Sequence, residues 1–379
     1  MKKVIVVGGG FAGVSCAINL VKDRKRDLSI TVISNSSDFV YKGRLYKIFF
    51  DYPLNKICFS LPKIFSLYPQ INFFVDSLIA VDFNSKKIKT EKGMVLSYDF
   101  LVLALGSEVC YFDIPGLKKY AFSFYNINDC LALKDHLRES FHQCRRRSEE
   151  NLCCTHIVVV GGGETGVEAA SALVFYTKKL AKEFRINSSL ITIDLVHSRD
   201  RLIPKTFPDV SEKILQRVRE LGINVYLNRR IIKEEIEKVF LNDLIVRAKT
   251  LVWTAGVQAN SLYKKLGFAV DERGRVLVDQ YLRAKNYRDI FVLGDGAATS
   301  YSGTAQTAIY DGEFSAKNIL RLIDGKKMKI YHPKSPKFSI PVGEKWASVI
   351  LGPLKLYGKL GWFTREIIEG NVLREVFKY

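Results

Sequence analysis

The stretch VVVGGGETGVEAA, Val158 to Ala170, has a near twin at the start of the chain, VIVVGGGFAGVSCA, Val4 to Ala17. Each reads as a β-branched strand, a glycine turn and the first turns of a helix. Such strands suit a parallel sheet buried on both faces. The first turn holds Gly8, Gly10 and Gly13, and the second holds Gly161, Gly163 and Gly166. In this pattern the first glycine makes the bend. The second lets backbone approach a pyrophosphate, and the third lets helix and strand pack closely. The free N–H groups at the helix start then receive the phosphates. One such turn is weak ground, because glycine turns are common. Two of them, each between a β-branched strand and a helix, predict two dinucleotide sites. The fold class expected is α/β: two Rossmann-like doubly wound dinucleotide-binding domains plus a small C-terminal region. A period of about 150 residues is too long for a solenoid repeat.

Working outward from the first turn, strands are predicted over 1–7 and 28–33, with a helix over 14–21. SYDFLVLAL, 97–105, reads as a buried strand ending at Gly106-Ser107. Residues 129–143 read as helix and CRRRSEEN, 144–151, as a charged linker. Around the second turn, strands are expected over 155–160, 190–196, 223–227 and 250–253, with helices over 167–182 and 210–221. A strand over 289–293 runs into Gly294-Asp295, and a helix follows over 305–322. The domain boundaries predicted are 1–125 with 268–330, then 150–267, then a basic, aromatic tail over 331–379.

The chain has 379 residues, 47% of them hydrophobic and 26% charged, enough for two or three cores. No apolar run reaches the ~18 residues of a membrane helix. Lys2 and Lys3 precede only four apolar residues, too few for a secretory signal. All seven cysteines lie between Cys16 and Cys154, without CxxC or CxxxxC spacing. That pattern predicts a reduced intracellular protein, with no structural bridge and no metal ligand set. The net charge of +19 attracts anions, whether nucleotide cofactors, anionic lipid or nucleic acid, and equally serves solubility.

The strand after each turn ends at the adenosine ribose, where an acid commonly bonds the hydroxyls. The first unit offers the neutral Ser34 and Asn35, and the second reads VHSRDR, with His197 and Arg199. Arginine favours a 2′-phosphate through charge-assisted bonds, which leans the expectation toward NADPH, with use of NADH as well.

Three further segments carry a family resemblance. FVLGDGAA places Asp295 at a strand end, while LVLALGS (101–107) and LVWTAGV (251–257) look like two crossovers between domains. With GGGETGVE and GDGAATSYSGTAQTAIYDG, they make the chain resemble the type II NADH dehydrogenases and the ferroptosis-suppressor-like quinone reductases, within the two-dinucleotide flavoprotein superfamily. The resemblance covers about residues 1–324. It implies bound FAD, NAD(P)H as co-substrate, and electron transfer to a quinone without proton pumping.

The residues it assigns to FAD are Gly8, Gly10, Phe11, Ala12, Gly13, Ser34, Asn35, Ala104, Gly106, Gly294, Asp295, Ala305 and Gln306. Those assigned to NAD(P)H are Gly161, Gly163, Thr165, Gly166, His197, Arg199, Ala255 and Gly256. It assigns catalytic roles to Glu168, Gln306 and Tyr310, the last standing where the family's AQxAxQ pattern has its second glutamine. Glu168 has a plainer reading as well, an acid favoured by the positive end of its helix.

Two rivals are kept. A sulfide:quinone oxidoreductase uses cysteines flanking the flavin, one from the C-terminal part of the chain, and none follows Cys154 here. A flavin-bearing binding or sensing protein would use the basic charge on nucleic acid, yet no nucleic-acid motif is present. In the tail, WASVILGPLKLYGKLG (346–361) suits a membrane-interface segment, or else a hairpin or helix covering the quinone site or a dimer interface. Pro353 interrupts any single helix there. The expected setting is peripheral, on the cytoplasmic face of a membrane, as a homodimer.

Overall fold

The computed structural model describes residues 1–22, 27–146 and 155–377. Its α-helices are α1 (Phe11–Val21), α2 (Leu61–Phe65), α3 (Leu117–Tyr120), α4 (Ile127–Arg146), α5 (Glu164–Phe184), α6 (Pro208–Glu220), α7 (Leu262–Lys265), α8 (Ala305–Ile323) and α9 (Gly358–Phe377). Two five-stranded parallel sheets organise them. The first runs in the order Ile290–Val292, Phe100–Leu103, Lys2–Val7, Leu28–Ser34, Ile71–Val75. The second runs Phe122–Ser123, Thr250–Trp253, His156–Val160, Thr192–Val196, Asn224–Tyr226.

In both sheets the strand that feeds the glycine turn is central, because only a central strand is buried on both faces. Val4, Val6, Val158 and Val159 have no exposed surface. The order reverses around each central strand. The carboxyl ends there open the crevice in which doubly wound folds hold ligands. The two sheets are joined where the LVLALGS and LVWTAGV segments leave them. Ser107–Val109 pairs antiparallel with Val257–Ala259.

The structure moves several sequence-based boundaries. The predicted 97–105 strand is two elements. Val95–Ser97 belongs to a small antiparallel sheet, and only Phe100–Leu103 enters the main one. Asp99 makes the break, accepting the Lys3 N–H at 2.7 Å and the Lys2 ammonium at 3.0 Å. Residues 188–190 form a 3-10 turn, so the predicted strand begins only at Thr192. α4 continues through 144–146, and the rest of the predicted linker lies outside the described residues.

The tail is a hairpin sheet followed by a helix. Phe338–Pro341, Ala347–Leu351 and Leu354–Leu356 pair antiparallel. Gly352 turns at a φ of +60°, and Pro353 fills the second turn position, which its fixed φ suits. Ala347, Ser348 and Val349 are fully buried, so the middle strand of this sheet is core and not surface. α9 then buries Gly361, Arg365, Glu369, Val372 and Val376, one face at helical spacing.

Candidate active site

The two glycine turns have the same geometry. Gly8 and Gly161 adopt φ values of +124° and +125°. A Cβ on Gly8 would meet the Ala104 carbonyl oxygen at 2.1 Å, and one on Gly161 would meet Thr254 Oγ1 at 2.5 Å and the Ala255 nitrogen at 2.9 Å. Cβ atoms on Gly13 and Gly166 would strike the Gly8 and Gly161 carbonyl oxygens at 1.9 and 1.6 Å. These four positions admit only hydrogen because the chain packs on itself. Gly10 and Gly163 differ: a Cβ there meets nothing within 4 Å. Each is the N-cap of its helix, α1 or α5, without a side-chain cap. The helix-start N–H groups thus face open space lined by bare backbone, which fits a pyrophosphate.

The strand ends repeat this correspondence. Ser34 is buried and its Oγ lies against Gly9, while the His197 ring lies against Gly162. The Gly162 N–H donates to His197 Nδ1 at 3.0 Å, which puts the ring proton on Nε2. Burial, and then the nearby Arg199, keep this imidazole below its ordinary pKa, so it is neutral at neutral pH. Asn35, Thr165 and Arg199 are exposed.

At the third motif, Asp295 Oδ2 accepts the Ser107 hydroxyl at 2.7 Å. Ser107 in turn bonds the Tyr125 hydroxyl, and Lys42 Nζ sits 3.4 Å from the centroid of that ring. Gly106 turns at a φ of +72° one residue earlier. Gly256 packs on the Cys110 carbonyl, with which a Cβ would clash at 2.1 Å. Phe11 packs edge-on against Phe39 and Tyr41. Ala12 lies beside Gly294.

The contrast between Ser15 and Glu168 follows from what covers each helix. α8 covers α1. Ser15 donates to the Ile309 carbonyl at 2.9 Å, and a Cβ on Gly312 would meet the Ala12 carbonyl oxygen at 2.5 Å. A longer side chain at position 15 would push α8 away. α5 instead faces α9 at Glu168, where Arg365 Nη2 approaches Oε1 at 3.3 Å.

Arg365 is central to a buried ionic cluster. It pairs with Glu369 at 2.8 Å, and Glu369 also takes Arg44 at 2.8 Å and Lys47 at 3.3 Å. Lys47 reaches Glu366 at 2.6 Å. The guanidinium also donates to the Ser339 and Gly43 carbonyls. Burial raises the Glu168 pKa to about 8, and Glu164 and Glu369 add to the rise against the opposing Arg365 and Lys47. Glu369 is held below the ordinary carboxylate range by Arg365, Lys47 and Arg44, against its own burial. Of the two carboxyls, Glu168 therefore holds a proton the more tightly and Glu369 the charge.

Gln306 and Tyr310 stand four residues apart on α8, and neither is hydrogen-bonded to Glu168 or Arg365 in the described residues. Both ends of the Gln306 amide are engaged: Nε2 donates to the Lys337 carbonyl at 2.9 Å, and Oε1 accepts the Lys337 N–H at 3.0 Å. Tyr310 packs at a tilt against Tyr331, and Lys334 Nζ lies 4.1 Å from its ring centroid. Ala305 opens the same helix, behind the Thr304 cap that accepts the Thr307 N–H.

Sequence reasoning missed Arg44, Lys47, Arg365 and Glu369. One signal was present, the Arg365/Glu369 spacing of four residues on the face that also carries Val372 and Val376. Charges on the apolar side of a helix mark a buried network.

Among curated proteins, the chain is similar to the type II NADH:quinone oxidoreductase of Staphylococcus epidermidis, 27% identical over 393 residues covering 98% of this chain and 95% of that one. The Staphylococcus aureus strain NCTC 8325 protein of the same description is 26% identical, covering 100% and 96%. Among solved structures, NDH2 from Plasmodium falciparum in complex with NADH superposes with a TM-score of 0.89 at 19% identity, over 99% of this chain and 96% of that one. The sulfide:quinone oxidoreductase of Aquifex aeolicus gives 0.83 at 20%, over 100% and 92%. The sequence profile of the pyridine nucleotide-disulphide oxidoreductases matches residues 2–312. With both glycine turns and the Gly294-Asp295 turn inside that match, the chain belongs to the pyridine nucleotide-disulphide oxidoreductase family.

Proposed function

We propose that this protein is a flavin-dependent oxidoreductase that takes electrons from NAD(P)H and passes them to a quinone, as a type II NADH dehydrogenase does. The observation that carries the reading is the pair of uncapped, glycine-lined helix starts, with the Glu168 carboxyl, met by Arg365, on the second of those helices. The near full-length likeness to curated type II NADH:quinone oxidoreductases supports it. FAD, when bound, supplies the two-electron chemistry. The chain's own residues bind and orient. The α1 N–H groups and the Gly10 backbone would receive one pyrophosphate, and Asp295 would accept from ribityl hydroxyls. The α5 N–H groups and the Gly163 backbone would receive the other pyrophosphate. Quinone reduction takes up two protons, and Glu168 holds one at its carboxyl at neutral pH. Tyr310 and Gln306 stand on the quinone side, where the phenol can donate one hydrogen bond.

The second dinucleotide is NADPH in preference to NADH, because the exposed Arg199 stands just past the Thr192–Val196 strand, where a guanidinium attracts a 2′-phosphate. The decisive measurement is the visible spectrum of the purified protein under anaerobic conditions after NADPH, NADH or sulfide, followed by a quinone. Bleaching by a pyridine nucleotide and recolouring by the quinone is expected. Bleaching by sulfide alone would transfer the assignment to the sulfide-oxidising branch. Arg199→Glu is expected to reverse the NADPH/NADH preference by about 10-fold, the worth of one charge-assisted phosphate contact. An unchanged preference removes Arg199 from the site.

We assign membrane contact to the outer face of α9. Leu360, Phe363 and Ile367 share that face and are each at least 60% exposed, with Lys359 and Arg374 exposed on the same helix. No helix among the described residues is long and apolar enough to cross a membrane. An exposed apolar stripe with cations beside it suits the headgroup plane. Replacing Leu360, Phe363 and Ile367 with serine is expected to abolish flotation with anionic liposomes while leaving the protein folded. Retained flotation, or loss of a dimer in place of flotation, assigns the stripe to a second copy of the chain.

A further inference from the structure

The Gly294-Asp295 turn is held from behind by a residue that the function above does not use. Asp311, on α8, has no exposed surface. Its Oδ2 accepts the Gly294 N–H at 3.0 Å, and its Oδ1 accepts the Tyr331 hydroxyl at 2.6 Å. Gly294 sits at a φ of +65°, and a Cβ there would meet Ala12 Cβ at 3.3 Å and Ala308 Cβ at 3.5 Å. The Gly294-Asp295 turn, the first glycine turn and α8 therefore converge on one backbone position, and Asp311 is the polar group that fixes it.

Tyr331 brings in the segment after α8. Its N–H donates to the Gln280 carbonyl at 2.8 Å, and its ring packs against Tyr310 and Phe314 with centroids 5.6 and 5.1 Å away. Two residues upstream, the buried Asn318 clasps Lys329 by both backbone groups, at 2.9 Å each. Gln306 clasps Lys337 in the same way. The 329–337 stretch is thus strapped along α8 at both ends. Its hydrogen-bonded link to the Gly294 N–H runs through Tyr331 and Asp311.

The clamp controls direction. A left-handed residue such as Gly294 is conformationally free, and the peptide that follows it sets where Asp295 points. An ionised carboxylate accepting the Gly294 N–H holds that peptide more firmly than a neutral acceptor. A buried tyrosine hydroxyl on the other oxygen fixes the carboxylate's own rotation. Nothing in the dinucleotide-site pattern asks for an acid at position 311, so the pair is a feature of this chain's tertiary arrangement.

We infer that Asp311 and Tyr331 are positioning residues for the flavin, setting the Gly294-Asp295 turn so that Asp295 meets the ribityl chain. This rests on the flavin reading above. The test uses holoprotein purified with its flavin. Release of FAD after dilution is followed by the rise of free-flavin fluorescence, well below the unfolding temperature. Asp311→Asn and Tyr331→Phe are compared with Asn318→Ala, which loosens the strap without touching the turn. Tyr331→Phe keeps the ring packing and Asp311→Asn keeps the volume, so both are built to fold, which far-ultraviolet circular dichroism checks.

The expected result is release about 10-fold faster in Asp311→Asn and several-fold faster in Tyr331→Phe, with a changed visible circular dichroism of the bound flavin. Asn318→Ala is expected to lower the unfolding temperature without matching those release rates. Equal release from wild type and both clamp variants overturns the inference and leaves the flavin reading intact. A wild-type protein that holds no FAD overturns both.

Discussion

Gly10→Val will yield a folded protein without colour, and Gly163→Val a folded yellow protein that no pyridine nucleotide reduces. Both positions have extended φ angles, −86° and −80°, which valine adopts without strain. Neither Cβ meets another atom of the chain, so neither substitution costs packing. What each fills is the space where a pyrophosphate oxygen must approach backbone N–H groups. A methyl group there separates phosphate from donor by more than a hydrogen bond can span. A loss on the order of 100-fold or more in affinity is expected at the altered site alone, since several charge-assisted bonds fail together. Flavin content by absorbance and stopped-flow reduction by NADH and NADPH read the two sites separately. If Gly163→Val loses flavin, or Gly10→Val keeps it, the assignment of turns to cofactors is wrong. Gly13→Ala and Gly166→Ala are different in kind. They drive a Cβ into a carbonyl oxygen, and the fold itself is expected to fail.

The second large effect is expected at Arg365. Arg365→Leu removes the cation between Glu168 and Glu369 and leaves the Ser339 and Gly43 carbonyls without their donor. Breaking a buried pair in this way costs about 3–5 kcal/mol, and Arg44 and Lys47, which still hold Glu369, place this case at the lower end. Chemical denaturation of the holoprotein measures it. α9 is pinned to α5 by this guanidinium, so turnover is expected to fall by about 100-fold, the scale set by small misplacements at a reacting centre. Wild-type stability and turnover in this variant would mean that the cluster is ornamental.

The pH dependence comes from Glu168. Its folded pKa of about 8 lies above the ordinary glutamate value of 4.5. The folded state therefore binds the proton more tightly than the unfolded chain does. Stability from this group is full below pH 4.5 and declines as pH rises toward 8, with a total on the order of a few kcal/mol. Glu168→Gln, which mimics the protonated form, is expected to match wild type in stability at low pH and exceed it above pH 8. Quinone reduction by the wild type is expected to fall as pH passes about 8, and the Gln variant should be slower throughout without that break. A break that survives in Glu168→Gln assigns the proton to another group. Arg365→Leu should move the break upward, because Arg365 opposes the rise.

The glycine turns were legible in the sequence because their requirements are local. A φ near +125° and a Cβ-free approach to a carbonyl five residues away are written into one short stretch, and the β-branched run before it marks a strand buried on both faces. The two crossover segments were legible as ends of strands. Their antiparallel pairing, Ser107–Val109 with Val257–Ala259, joins residues about 150 positions apart, and no local pattern encodes it. The tail shows the limit from the other side. Trp346 to Gly361 has the composition of an interface segment, yet Gly352 and Pro353 turn it into a hairpin whose middle strand is core.

By itself, then, the sequence determined two doubly wound units, the place of each helix start and the identity of the glycines that must stay bare. Only the tertiary structure decided the raised pKa of Glu168, because its burial and its partner Arg365, 197 residues away, are products of where α9 docks against the hairpin sheet. It also decided that Gln306 holds a strap and that Asp311 holds a turn. Backbone sterics act between neighbours in the chain and can be read along it. Desolvation and ion pairing act between neighbours in space, and exist only once the fold has chosen them.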